Sequence, residues 1–188
     1  MASSKGTFFF SRRFFPLFTV QASGAFNDNL LKQSLGLFII YNTVAFSDSV
    51  MVPLAGPGMQ GKSEVMLSLA GFVFNVEQVL IVANVLFTIP FFLFSALAGQ
   101  LADKFDKSLL IRGIKVFECF IMGLAAAGFI LMNLWILLIS LFLMGFHSSL
   151  FGPIKYSILP DHLERAELVA GNAIVEGGTF LSILFGTL

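Results

Sequence analysis

Charge is scarce in this chain. Asp, Glu, Lys and Arg make up 12% of 188 residues against 57% hydrophobic residues, and acidic and basic side chains cancel to a formal net charge of zero. A soluble domain carries about 25% charged residues, so a water-facing globule is excluded, and a mean hydropathy of +0.91 points to an integral membrane protein. No long basic run exists, which leaves no nucleic-acid-binding surface to propose. Cysteine is limited to Cys119, excluding an internal disulfide or a cysteine-based metal cluster, and its apolar setting reads as a small core residue. His147 and His162 are too isolated to propose as a metal pair, and no Walker-type glycine loop marks an ATP site. The H-x-x-x-x-D box of glycerolipid acyltransferases pairs a base with its orienting carboxylate. Here His147 is followed at that spacing by Gly152 and His162 by Glu167, so the chain carries no such catalytic motif.

What is abundant is apolar length. About 20 apolar residues cross a bilayer as a helix, and the pattern predicts an all-α polytopic protein with about five spans: Phe14 to Ile40, Val79 to Leu101, Gly113 to Met132, Leu134 to Phe151 and Leu168 to Leu188. Tyr41 to Gln78, with Pro53, Gly56, Pro57, Gly58 and Gly61, reads as a loop outside the membrane. Within it Val65 to Val76 is too short to cross and reads as an amphipathic interfacial helix or an extension of the next span. Pro90 predicts a kink in the second span, Asn84 and Thr88 read as helix-packing groups, and Gly152-Pro153 reads as the stop of the fourth helix. Lys155 to Glu167 then forms a charged connector.

The first span carries an acid near its middle. An ionisable group at bilayer centre costs at least about 2.5 to 3.5 kcal/mol unless it meets a partner or a wet cavity. Helical spacing stacks Gln21, Asp28 and Lys32 in one stripe with Asn29 and Gln33 on its flank, so the stripe faces protein or water. The fifth span repeats the theme with Asn172, Glu176 and Thr179 on one face, while Gly171, Gly178 and Gly186 permit close helix contact. Arg112, Lys115 and Glu118 open the third span, where the basic stems snorkel and pair with the acid near the interface. Basic residues cluster on one side: Lys5, Arg12 and Arg13, then Lys104, Lys107, Arg112 and Lys115, then Lys155 and Arg165, with Lys62 alone opposite. The positive-inside rule then makes the amino terminus cytoplasmic. Polar stripes on the first and fifth spans lack partners within a five-helix bundle, so the chain is expected to be the incomplete amino-terminal part of a larger one, folding poorly alone.

The connector Gly99-Gln100-Leu101-Ala102-Asp103-Lys104-Phe105-Asp106-Lys107 resembles the signature loop of the major facilitator superfamily, G-x-x-x-D-R/K-x-G-R-R/K, departing from it at Asp106 where glycine is preferred. The stretches Gly24 to Gln33, Pro90 to Ala96, Phe151 to Pro160, and Asn172 to Phe180 are similar to the bacterial lysophospholipid transporter branch of that superfamily. The Tyr41 to Gln78 stretch matches least. This resemblance implies the first six-helix half, short of its sixth helix, of a twelve-helix fold that moves lysophosphatidylethanolamine-like lipid across the bacterial inner membrane by alternating access. Its implied partners are membrane lipids, the lysophospholipid substrate, the carboxyl-terminal half, and an acyltransferase and acyl-carrier-protein synthetase working beside or fused to it. On charge sign, Asp28 and Glu176 suit an ammonium head group or a coupling cation, Na+ or H+. Lys32 and Lys155 suit a phosphate, and Asn29 and Asn172 complete the polar pathway. Gly99, Asp103, Lys104 and Lys107 are the implied conformational gate. The competing readings are the membrane module of a fused acyltransferase and a facilitator-type exporter of another small molecule.

Overall fold

The computed structural model describes residues 9–42, 49–53, 63–69 and 71–188. Five helices make the bundle: α1 (Phe15–Asn42), α2 (Val76–Lys104), α3 (Lys107–Ile130), α4 (Leu134–His162) and α5 (Leu168–Thr187). Helices α2 to α5 are each long and apolar enough to cross a membrane. The architecture is that of an all-α polytopic membrane protein, and α1, of 28 residues, is as long as its neighbours but more polar. Lys5 and Lys62, which entered the orientation argument, lie outside the described residues, as do Gly56, Pro57, Gly58 and Gly61.

Each boundary has a local cause. Asn75 caps α2 reciprocally with Gln78: its side chain accepts from Gln78 N while Gln78 Oε1 accepts from Asn75 N. Asp106 caps α3 by accepting from Ser108 N and Leu109 N, and Asn133 caps α4 by accepting from Ile136 N. The signature-loop position that departs from glycine is therefore a helix cap. The three-residue link from Leu131 to Asn133 makes α3 and α4 antiparallel neighbours, and α4 becomes the central helix, lying along α2 and α3 while α1 lies along α5. At Gly145 α2 and α4 come into close backbone contact, since a Cβ there would run into the Phe87 carbonyl oxygen. On α5 the Gly171, Gly178 and Gly186 positions all face neighbours at van der Waals limits, Gly186 lying against the α1 backbone at Phe26.

Three expectations fail here. The Val65 to Val76 stretch is not helical: β1 (Ser49–Pro53), β2 (Ser63–Leu69) and β3 (Phe72–Phe74) form an antiparallel three-stranded sheet in that order. The register pairs Ser49 with Leu67 and Leu67 with Phe74. The physical reason is period-two alternation, with Leu67 and Leu69 turned into the core against the first turns of α2. Gly71 takes a positive φ of 84°, which lets the chain reverse between β2 and β3. The second failure is α4, which continues through Gly152, Pro153 and Pro160 to His162. Burial of Ile154, Ile158 and Leu159 against α1 and α3 holds the helix across both prolines, whose missing N–H groups a packed membrane helix tolerates. Pro90 likewise sits buried inside a continuous α2. Cys119 is exposed on the outer face of α3, not in the core.

Candidate functional site

Where α1 and α5 meet α2 and α4, near the middle of every helix, lies a cavity of about 290 Å³. Helix α1 presents Gln21, Asp28, Asn29 and Lys32 to it, in the periodicity that one helical face requires. Phe87 and Phe91 come from α2, and His147, Ser148 and Lys155 from α4. Asp28 is held by Ser148, whose hydroxyl donates to Oδ2 at 2.6 Å, while Asp28 Oδ1 is buried without a hydrogen-bond partner. Gln21 donates through Nε2 to Thr179 Oγ1 at 3.0 Å, leaving its own Oε1 equally buried and unpaired. Asp28 and Lys32, one turn apart, do not form a direct ion pair. Lys32 Nζ instead sits 4.5 Å from the centre of the Phe87 ring, a cation–π contact that leaves its charge facing the cavity.

Lys155 and Glu176 are one unit. Lys155 Nζ donates to Glu176 Oε1 at 3.0 Å, Tyr156 Oη donates to the same oxygen at 2.7 Å, and the pair joins α4 to α5 at the cavity edge. Asn172 is elsewhere: it is exposed and its Nδ2 donates back to Leu168 O. Asn29 also donates to its own helix, at Ala25 O. Asn84 and Thr88 do the same on the exposed face of α2.

Among the described residues the four signature-loop residues share no side-chain hydrogen bond or ion pair with one another. Asp103 and Lys104 are exposed, and Asp103 has no hydrogen bond or ion pair among the described residues. Lys107 does the joining, with Nζ donating to Asp161 Oδ2 at 2.5 Å and to Ser157 O at 2.9 Å, which clasps the start of α3 to the end of α4. Gly99 has open space where a Cβ would be. At the same end Arg13 reaches Glu167 at 3.2 Å and Glu164 at 4.0 Å.

The residues that sequence reasoning missed form the anchor beneath the cavity. Glu118 is 4% exposed and accepts from Asn27 Nδ2 at 2.6 Å and from Lys115 Nζ at 2.5 Å. His147, 2% exposed, places Nε2 3.4 Å from Glu118 Oε2 but out of hydrogen-bond alignment. Glu118 keeps its pairing with Lys115 but is not near the interface; it is buried at mid-helix, tying α3 to α1 and α4. One signal was available, since Asn27 neighbours the Asp28 stripe and His147-Ser148 sits mid-span, where polar residues demand partners. Among the described residues no group of side chains has the composition of a metal site.

A family model described as transmembrane secretion effector matches residues 59–180. The lysophospholipid transporter LplT of Photorhabdus laumondii subsp. laumondii is 26% identical over 110 residues, covering 57% of this chain and 25% of that relative's length. The chain thus spans about a quarter of that relative in the matched stretch. No solved structure matches. Because the family model covers more than half of the chain and the helices are those of a multi-pass membrane protein, this chain belongs to the transmembrane secretion effector family of the major facilitator superfamily.

Proposed function

We propose that this chain forms the amino-terminal part of an alternating-access transporter that moves lysophosphatidylethanolamine-like lipid across the bacterial inner membrane. Helix α1 is one of its spans and enters the membrane from the cytoplasmic side. The observation that carries the reading is the cavity's unmatched polarity. Among the described residues two buried acceptor oxygens, on Asp28 and Gln21, lack donors, and beside them Lys32 makes no direct ion pair. An ethanolamine head group supplies N–H donors for the first pair and a phosphate for the lysine, charge against charge at short range. The Phe87 and Phe91 side of the cavity suits the first methylenes of the acyl tail. The name of the Photorhabdus relative supports the same substrate class.

The test is uptake by vesicles that contain the whole transporter built on this chain. Lysophosphatidylethanolamine is offered against lysophosphatidic acid, which has the phosphate and the tail but no ammonium. The reading expects the first to be taken up at least about tenfold faster, the worth of one charge-assisted hydrogen-bonded pair of 1.5 kcal/mol or more. Equal uptake of both contradicts the assignment of the Asp28 side to an ammonium, and uptake of neither moves the substrate to another class.

A further inference from the structure

A second cavity, of about 390 Å³, lies on the other side of the α2 and α4 pair, walled by Phe72 and Phe74 of β3, Val82 and Leu86 of α2, and Trp135 and Phe142 of α4. Ile139 and Phe142 lie across α4 from Ser148 and Phe151, and Val82 lies across α2 from Phe91, each pair being about two and a half helical turns apart. Among the described residues the walls carry no charged side chain and, apart from the Trp135 indole, no hydrogen-bonding one. Water is held in a cavity by several polar partners, which these walls do not supply, so the space suits an apolar occupant. It opens where α2 and α4 begin and, at about 1.5 Å per residue, runs about 12 to 15 Å along them to Phe142 and Leu86. That is about one leaflet of a hydrocarbon core about 30 Å thick. Two features put the mouth at head-group level. Trp135 is half exposed in the first turn of α4, and β3 is an edge strand, whose outward backbone groups need polar partners that hydrocarbon does not give. Around the mouth the surface stays apolar, from Phe72 and Val73 on the sheet to Ile81 and Val85 on α2 and Ile139 on α4, all exposed. The cavity is thus continuous with the lipid-facing flank of two membrane spans.

We propose that this cavity binds one acyl chain of a phospholipid, taken from the leaflet that meets the amino-terminal ends of α2 and α4. The head group lies beside β3, and the chain runs down between the two helices under the sheet. Bulk lipid is as apolar as these walls, so hydrophobicity alone gives the site no preference. What holds a chain here is contact on several sides at once, where a smooth helix surface offers one. The sheet meets the bundle chiefly at α2, and between β3 and the α4 wall lies the cavity itself. A bound chain joins the sheet to α4 and completes the packing. The inference stands apart from the proposed function, because this cavity and the one at Asp28 have no lining residue in common. It also concerns the stretch that resembles the transporter branch least.

Trp135 makes the site measurable, since it is the one tryptophan of this sequence. In the whole transporter, the fluorescence that Trp135→Phe removes is its own. Purified transporter in detergent is titrated with phosphatidylcholine brominated at mid-chain, whose bromines quench an indole at contact and whose head group has no N–H to offer the Asp28 cavity. The proposal expects Trp135 quenching that saturates at one lipid per protein. Val82→Phe, which puts a ring into the cavity, should weaken that binding at least about tenfold, the loss of about ten carbon contacts. Phe72→Ser is the second variant: it trims an exposed side chain of the sheet, leaves the bundle intact by circular dichroism, and should weaken binding by opening the mouth. Phe92→Ala, on the exposed face of α2 away from the cavity, should change nothing. Quenching that rises in proportion to lipid without saturating means passing contact only and overturns the proposal, as does saturable quenching that neither Val82→Phe nor Phe72→Ser weakens. An absence of quenching also overturns it, and if the protein then runs as a dimer, the cavity belongs to a second copy of the chain.

Discussion

Glu118 is the side chain whose loss should cost the fold most per atom removed. Glu118→Ala deletes acceptors from Asn27 at 2.6 Å and from Lys115 at 2.5 Å, and leaves His147 facing a void. Hydrogen bonds to a charged group contribute about 1.5 to 3 kcal/mol each, and breaking a buried ion pair by removing one partner costs about 3 to 5 kcal/mol. The Lys115 side chain is 22% exposed and can turn its ammonium outward, so the lower end, about 3 kcal/mol, is expected. For a chain of this size that lowers the melting temperature by about 6 to 12 °C. Glu118→Gln keeps the volume and one acceptor but turns an amide toward the other donor, so about half the loss is expected. Lys115→Ala added to Glu118→Ala should recover part of it, because no unpaired cation then remains. Melting of the protein in mild detergent, followed by circular dichroism, measures all three. A Glu118→Ala protein that melts within about 1 °C of wild type would refute the reasoning that this carboxylate is the anchor of α1, α3 and α4.

Helix contacts give further outcomes. Gly145→Leu drives a side chain into the Phe87 backbone, where overpacking costs about 1 to 3 kcal/mol or more; a detergent-stable, monodisperse variant would contradict the close α2–α4 approach. Gly186→Val, facing Phe26 O at a 2.6 Å approach, should loosen α1 from α5 and raise protease cleavage of the 163–167 connector. Arg13→Ala should change stability by less than about 1 kcal/mol, because the Arg13 side chain is 43% exposed and surface ion pairs are weak; a larger thermal shift would mean the ion pair is shielded from solvent. Cys119, exposed on the outer face of α3, should resist a membrane-impermeant maleimide in native vesicles and react in SDS; full labelling in native vesicles would put that face in water.

The helices and the polar stripe were legible because membrane spans announce themselves by length and because periodicity places residues on faces. Gln21, Asp28 and Lys32 share a cavity as their spacing implies, and Gly171, Gly178 and Gly186 of α5 lie at its contacts with α1 and the connector. The sheet is hard to read from sequence because the twelve residues Val65 to Val76 are largely apolar and pass for one element, although Leu67 and Leu69 alternate with polar or flexible neighbours and Gly71 marks the reversal. The long α4 was missed because Gly152-Pro153 is a stop signal only where nothing packs beyond it, and Ile154, Ile158 and Leu159 are buried. Glu118 was misplaced for a related reason. Near the start of a helix, an acid beside two basic residues looks solvated, and only the tertiary fold brings Asn27 and His147 to it. Residues 107–112 extend α3 below the expected start, which moves Glu118 from the end of the span toward its middle.

The central claim is that Asp28 is the polar contact around which a lipid head group is held, and one comparison tests it most directly. Uptake of labelled lysophosphatidylethanolamine is measured in vesicles carrying the whole transporter, wild type against Asp28→Asn, at equal membrane abundance and matched orientation. The account predicts uptake by wild type and its loss by at least about tenfold in the variant, because the carboxylate is replaced by a neutral group at a buried, water-poor site. Uptake that survives the substitution unchanged would contradict it.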